Sequence, residues 1–132
     1  MKENNNLQNG KSREIIVNQY FSRIKSSDIE GLLALFSDDA VIREPFSKAR
    51  TLVGKSEIKS FLSSAIMANE GLQYHIDIDG KTSKPLDNLV ALVLFRKGDA
   101  INSRFTFGFE DANNSNTNRK TKIKSLVIEF LD

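Results

Sequence analysis

The chain has no cysteine and no tryptophan, one histidine and two prolines. Without cysteine there are no disulfides and no thiolate chemistry, and one histidine makes a poor start for a structural zinc site. Nowhere do about 18 apolar residues run together, the length a membrane helix needs. The N-terminal stretch MKENNNLQNGK lacks the apolar core of an export signal. Charge of one sign is missing as well. Lys and Arg number 19 against 17 for Asp and Glu, and a net charge of +2 sets up no field that would name an anionic partner. Arg119, Lys120, Lys122 and Lys124 cluster at a strand entrance without interleaved aromatics for base stacking, and read as a solvated, edge-protecting face. These absences set the default expectation: a soluble cytoplasmic protein with no metal, no cofactor, no nucleic-acid partner and no membrane partner.

What is present suits one domain, because 132 residues and 14.8 kDa enclose a single core. Residues 1–11 are polar and Asn-rich and are expected to form a disordered tail, leaving 12–132 as the domain. Ser12 is placed to cap a first helix, in which Ile16, Tyr20 and Ile24 recur at i+4 and Val17 and Phe21 widen the stripe. Ser27 and Glu30 have capping-box spacing, which predicts a second helix carrying Ile29, Leu32, Leu33 and Phe36 and stopped by Ser37, Asp38 and Asp39. A short strand follows, with Ala40, Ile42 and Glu44 on one face, Val41 and Arg43 on the other, and Pro45 ending the pairing.

Helical spacing returns from Ser56 to Met67, where Ile58, Phe61, Leu62, Ala65 and Ile66 repeat. Beyond it the period becomes two. Leu72, Tyr74, Ile76 and Ile78 alternate with Gln73, His75, Asp77 and Asp79. Leu89 to Phe95 is apolar almost throughout and predicts a central strand covered on both faces, turned by Lys97, Gly98 and Asp99. Phe105, Phe107 and Phe109 share one face of the next strand. After a hairpin tip at Asp111 to Asn118, Leu126, Ile128 and Phe130 share a face of the last. The order ααβαββββ predicts an α+β layer fold, a strongly curved mixed or antiparallel sheet wrapped over three helices.

That order, with the segments LLALFSDDAVIREPF and LVGKSEIKSFL, resembles the nuclear-transport-factor-2-like superfamily, in particular its polyketide-cyclase-like and ketosteroid-isomerase-like branch, over residues 12–132. The resemblance implies a cone with an apolar pocket open at one end and a sheet face that forms a homodimer. It also implies roles residue by residue. Glu44, before Pro45 on the first strand, falls where ketosteroid isomerases carry their general base. Tyr20, in VNQY of the first helix, falls where they carry an oxyanion donor. Their second donor is a neutral carboxylic acid two residues before the first aromatic of a late F-x-F strand motif; matching Phe107 and Phe109 to that motif puts Phe105 at the position of the acid.

Moving a double bond beside a ketone takes a base near the α-carbon and a donor where negative charge develops on oxygen. Glu44 and Tyr20 supply one each. Phe105, Phe107, Phe109, Phe61 and Ile42 are expected to line the pocket for a small apolar ligand. The competing expectation is a non-catalytic ligand-binding or protein-interaction module on the same cone, in which Glu44 pairs with Arg43, Lys48 or Arg50 and Tyr20 is a core aromatic. His75 alternates onto the wetter strand face and reads as structural. Residues 49–56 spell a relaxed phosphate loop, but Ala49 replaces the first glycine and no parallel-sheet context surrounds it.

Overall fold

The computed structural model describes residues 2–45, 51–70, 73–79, 88–97, 99–110 and 121–131. Its elements are α1 (Lys2–Lys25), α2 (Ile29–Leu33), β1 (Phe36–Arg43), β2 (Thr51–Val53), α3 (Gly54–Asn69), β3 (Gln73–Asp79), β4 (Asn88–Lys97), β5 (Asp99–Glu110) and β6 (Lys122–Leu131). The strands form one curved six-stranded sheet in the order β2-β1-β6-β5-β4-β3. All pairings are antiparallel except β1 with β6, so the sheet is mixed. The three helices pack on its concave face.

Helix α1 begins at Lys2, so Ser12 lies inside it and caps nothing. Helical backbone runs through residues 2–11, the segment expected as a tail. No proline interrupts it, and a helix nucleated by its packed half propagates outward at one hydrogen bond per residue. The predicted stripe forms: Ile16, Val17, Tyr20, Phe21 and Ile24 are all buried.

The corner after α1 departs from the expected capping box. Ser27 takes a left-handed backbone, φ 59°, and hands the cap to Asp28. The Asp28 carboxylate accepts from the Gly31 backbone N–H at 3.0 Å, and Arg23 Nη1 donates to the Gly31 carbonyl at 2.7 Å. Helix α2 is one turn long. It ends at Leu33, so Phe36 heads β1 instead of closing the helix. Ser37, Asp38 and Asp39 are no helix stop either; they lie in β1, where the register against β6 slips between Phe36 and Val41. Five residues of β1 advance there while β6 advances two, from Ile123 to Ser125. The surplus bulges outward and leaves Asp38 and Asp39 exposed.

Strand β2 went unread in the sequence, being three residues long and paired, among the described strands, with β1 alone. Helix α3 starts two residues earlier than expected. Gly54 makes the turn with φ 85°, a region where an L side chain is strained, and Ser56 lies inside the helix. The Val53 N–H is instead bound by Glu57 at 2.9 Å. Ile58 and Leu62 are fully buried, as their spacing predicted.

Strand β4 lies inside the sheet, next to the edge strand β3, and is covered on one face only. Leu89, Ala91 and Val93 enter the core, while Leu92 on the convex face is 39% exposed. The hairpin to β5 closes at the pair Lys97–Asp99. Leu72, residues 46–50 with Lys48 and Arg50, Gly98 and the hairpin tip at 111–118 lie outside the described residues.

A Cβ on Gly31 would collide with the Asp28 carboxylate that caps α2. Gly31→Ala should therefore gain about 1 kcal/mol of helix propensity only where the cap is already gone. In urea melts, the substitution should stabilise an Asp28→Ala background and give about 1 kcal/mol less in the parent.

Candidate functional site

The concave face is organised by β5, whose inward positions carry phenylalanine at every second residue from Phe105 to Phe109. The Phe105 and Phe107 rings lie 6.3 Å apart and nearly parallel, as do Phe107 and Phe109 at 6.5 Å. Two rings of α1 seat on this row. Tyr20 meets Phe107 at 5.5 Å and Phe105 at 6.3 Å, while Phe21 meets Phe105 at 5.4 Å and Phe107 at 6.1 Å. Tyr20 also contacts Phe21 at 5.1 Å and Phe36 at 6.3 Å, so four phenylalanine rings enclose a residue only 2% exposed. These geometries are edge-on or tilted, the arrangements that aromatic quadrupoles favour.

Glu44 follows the last paired residue of β1 and is buried, with 6% of its surface exposed. Its placement follows from the strand period. Ile42 is fully buried and pairs with Leu52 on one side and Leu126 on the other; two residues on, Glu44 returns to the same face. Arg43 pairs with Val127. Continued one residue past its last pair, that parallel register would run Glu44 level with Ile128, which in turn pairs with Phe105. Two strand spacings separate Glu44 from Phe105, about 10 Å between their backbones. Arg43 takes the opposite face and is exposed.

Glu44 and Tyr20 are thus both buried on the side of the sheet that carries the core, Glu44 at the end of β1 and Tyr20 on α1 over the rings of β5. Phe105 and Phe107 are buried beneath them, and Phe109 and Phe61 are partly buried at the margin of the same core. Phe130 and Ile101, which share the side of Phe105 by strand parity, are 48% and 49% exposed.

Two polar residues of this face escaped the sequence reading. Ser103 is 1% exposed and donates its hydroxyl to the Val93 carbonyl at 3.1 Å, satisfied within the sheet. Arg13 is 6% exposed, and its guanidinium stands 5.6 Å above the Phe109 ring. Its signal was present in the helix period, since Arg13 precedes Ile16 and Val17 by three and four residues. His75 is exposed on the convex face, as alternation implied. Among the described residues no helix is long and apolar enough to cross a membrane.

Solved structures match this architecture. The chain has the fold of the nuclear-transport-factor-2-like superfamily. A candidate polyketide cyclase from Sinorhizobium meliloti is 20% identical, with 86% of this chain and 93% of that chain covered and a TM-score of 0.61. SalBIII, an epoxide hydrolase/cyclase-like enzyme of pyran ring formation in the polyether salinomycin, is 16% identical over 93% of each chain, with a TM-score of 0.67. A protein with a cystatin-like fold from Caulobacter vibrioides reaches a TM-score of 0.71 at 11% identity, covering 95% of this chain and 91% of its own. Neither a family model nor a curated protein matches the sequence. At these identities the likeness is one of nuclear-transport-factor-2-like fold, and chemistry has to be argued from the residues.

Ring and hydroxyl of Tyr20 are separable by substitution. Phe107→Ala, at a fully buried position, should cost about 3–5 kcal/mol in denaturant unfolding. Tyr20→Phe keeps every ring contact and should cost no more than about 1.5 kcal/mol, the worth of one hydrogen bond.

Proposed function

We propose that the protein binds a small apolar carbonyl compound on the concave face of its sheet and moves a proton on it, with Glu44 as the base and Tyr20 as the donor to oxygen. The observation that carries this reading is the burial of a carboxylate just past the end of β1, two residues after the fully buried Ile42. Burial at the strand end turns the carboxylate toward the face on which a ligand would sit, where a base has to stand.

In the proposed reaction Glu44 takes a proton from the α-carbon, the electron pair enters the carbonyl system, and the Tyr20 hydroxyl donates a hydrogen bond to the oxygen that becomes negative. Return of the same proton from Glu44 to the γ-carbon completes a double-bond shift with no net change of atoms or charge. No cofactor is required. Phe105 supplies apolar wall where a second donor would stand. Removing one such donor lowers a rate by about 10² to 10³, so the proposed enzyme is slower than one with two. The two neighbours described as cyclases lend this reading support by their names alone.

A second reading, a ligand-binding or protein-interaction module without catalysis, draws on the four rings around Tyr20, which fit a core aromatic. In either reading we place the protein in the cytoplasm as a homodimer packed through its convex face. There Val90, Leu94 and Val127 are half-buried, Leu92 is exposed, and Arg104 bridges Glu129 at 3.1 Å.

The deciding assay follows double-bond migration in a β,γ-unsaturated ketone. Glu44→Gln should lose about 10² to 10⁴ in kcat/KM and Tyr20→Phe about 10² to 10³. Equal rates for the parent and both variants would leave only the binding reading.

A further inference from the structure

Strand β3 is the last strand of the sheet, paired with β4 on one side; among the described residues no strand covers its outer edge. It pairs with β4 over seven consecutive positions without a register shift. It has no proline and no lysine, the residues that commonly blunt such an edge. A regular edge of this length is a template for another strand, provided that its charges, Asp77 and Asp79, meet suitable partners.

The sequence of the edge selects that strand. On the convex face His75 and Asp77 are exposed, and Ile76 between them turns inward to the core. If two copies of β3 pair antiparallel about a two-fold axis through Ile76, each His75 stands directly opposite the Asp77 of the other copy. Both pairs lie on the same face of one continuous sheet. An imidazole donates a hydrogen bond to a carboxylate whether neutral or protonated. Of the neighbouring registers, centring on Asp77 keeps each His75 opposite an Asp79 but sets the two Asp77 carboxylates against each other, and centring on His75 sets two imidazoles together. Like charges directly opposite one another destabilise a pair of strands, so the pattern specifies one register.

We propose that β3 is a self-complementary edge through which two copies of this chain join their six-stranded sheets, with His75 and Asp77 fixing the register. Among the described residues, one charged side chain of the neighbouring strand faces this pair. Arg96 on β4 lies diagonally across from His75 and lines the same shallow depression with Gln73 and Leu94, while Leu92 pairs with Asp77. Arg96 adds positive charge on the side of His75, which favours an incoming carboxylate. This contact is distinct from packing through the convex face, and the two can coexist in a larger assembly.

The test is sedimentation equilibrium of the full chain in a Val127→Glu background, which places a charge on the convex face and isolates association through the edge. Both tested positions are exposed, and circular dichroism verifies that each variant is folded. Association should persist in the background protein. His75→Asp alone faces each Asp77 with a second carboxylate, and Asp77→Lys alone faces each His75 with an ammonium group; each should weaken association about tenfold or more. An equimolar mixture of those two variants should associate as a heterodimer, and the double variant His75→Asp/Asp77→Lys should recover self-association, because each combination restores attractive pairs in the same register. Amide exchange at Gln73–Asp79 should slow as protein concentration rises. A background protein that is monomeric at every concentration, single variants that associate like it, or single variants that weaken without rescue in the mixture would each overturn the proposal.

Discussion

The seating of Tyr20 and Phe21 on the phenylalanine row of β5 is the contact on which the rest of the molecule depends. Two adjacent residues of a helix point about 100° apart, so they straddle the row, each touching both Phe105 and Phe107. Straddling fixes α1 against sliding along or rolling across β5. With α1 fixed, the short turn to Asp28 fixes α2, and β1 leaves the corner with Phe36 already in contact with Tyr20. Large rings packed at several angles fill space densely and define one arrangement rather than many.

The fold was legible where the hydrophobic period was long and clean. The stripe of α1, the buried positions of α3 and the alternation of β3 and β6 were all readable, because each reports a single face meeting a single core. Misreadings cluster where a local rule had two answers. Ser27 and Asp28 both satisfy the rules for a cap, and the left-handed backbone at Ser27 decides for Asp28. Phe36 fits the apolar spacing of α2 as well as the start of β1, and only pairing with Ile123 settles it. Strand β2 is too short to show a period. The apolar run of β4 suggested cover on both faces, whereas a single chain covers one.

The candidate site was legible in part for a similar reason. Strand parity alone sends Glu44 to the face of Ile42, so its burial could be read from spacing. The enclosure of Tyr20 could not, because its rings come from α1, β1 and β5, and no local pattern records which distant residues meet. Arg13 and Ser103 were passed over because a polar residue in an apolar stripe is normally read as exposed; one is held over an aromatic ring and the other bonds a carbonyl of its own sheet.

Strand β6 follows all the other strands in the chain yet sits in the interior of the sheet, between β1 and β5. Among the described residues, β1 has no other strand partner except the three residues of β2. The β6 backbone also meets the far end of the first corner, where Ile123 N–H donates to the Leu35 carbonyl at 2.7 Å and Lys122 Nζ to that of Ala34 at 2.7 Å. During synthesis the helices and β1 therefore emerge with their main partner still untranslated. Only β6 joins β2-β1 to β5-β4-β3, so the sheet is not continuous until the last strand pairs on both sides. Such late, long-range closure is slow, and it makes β6 the keystone of assembly.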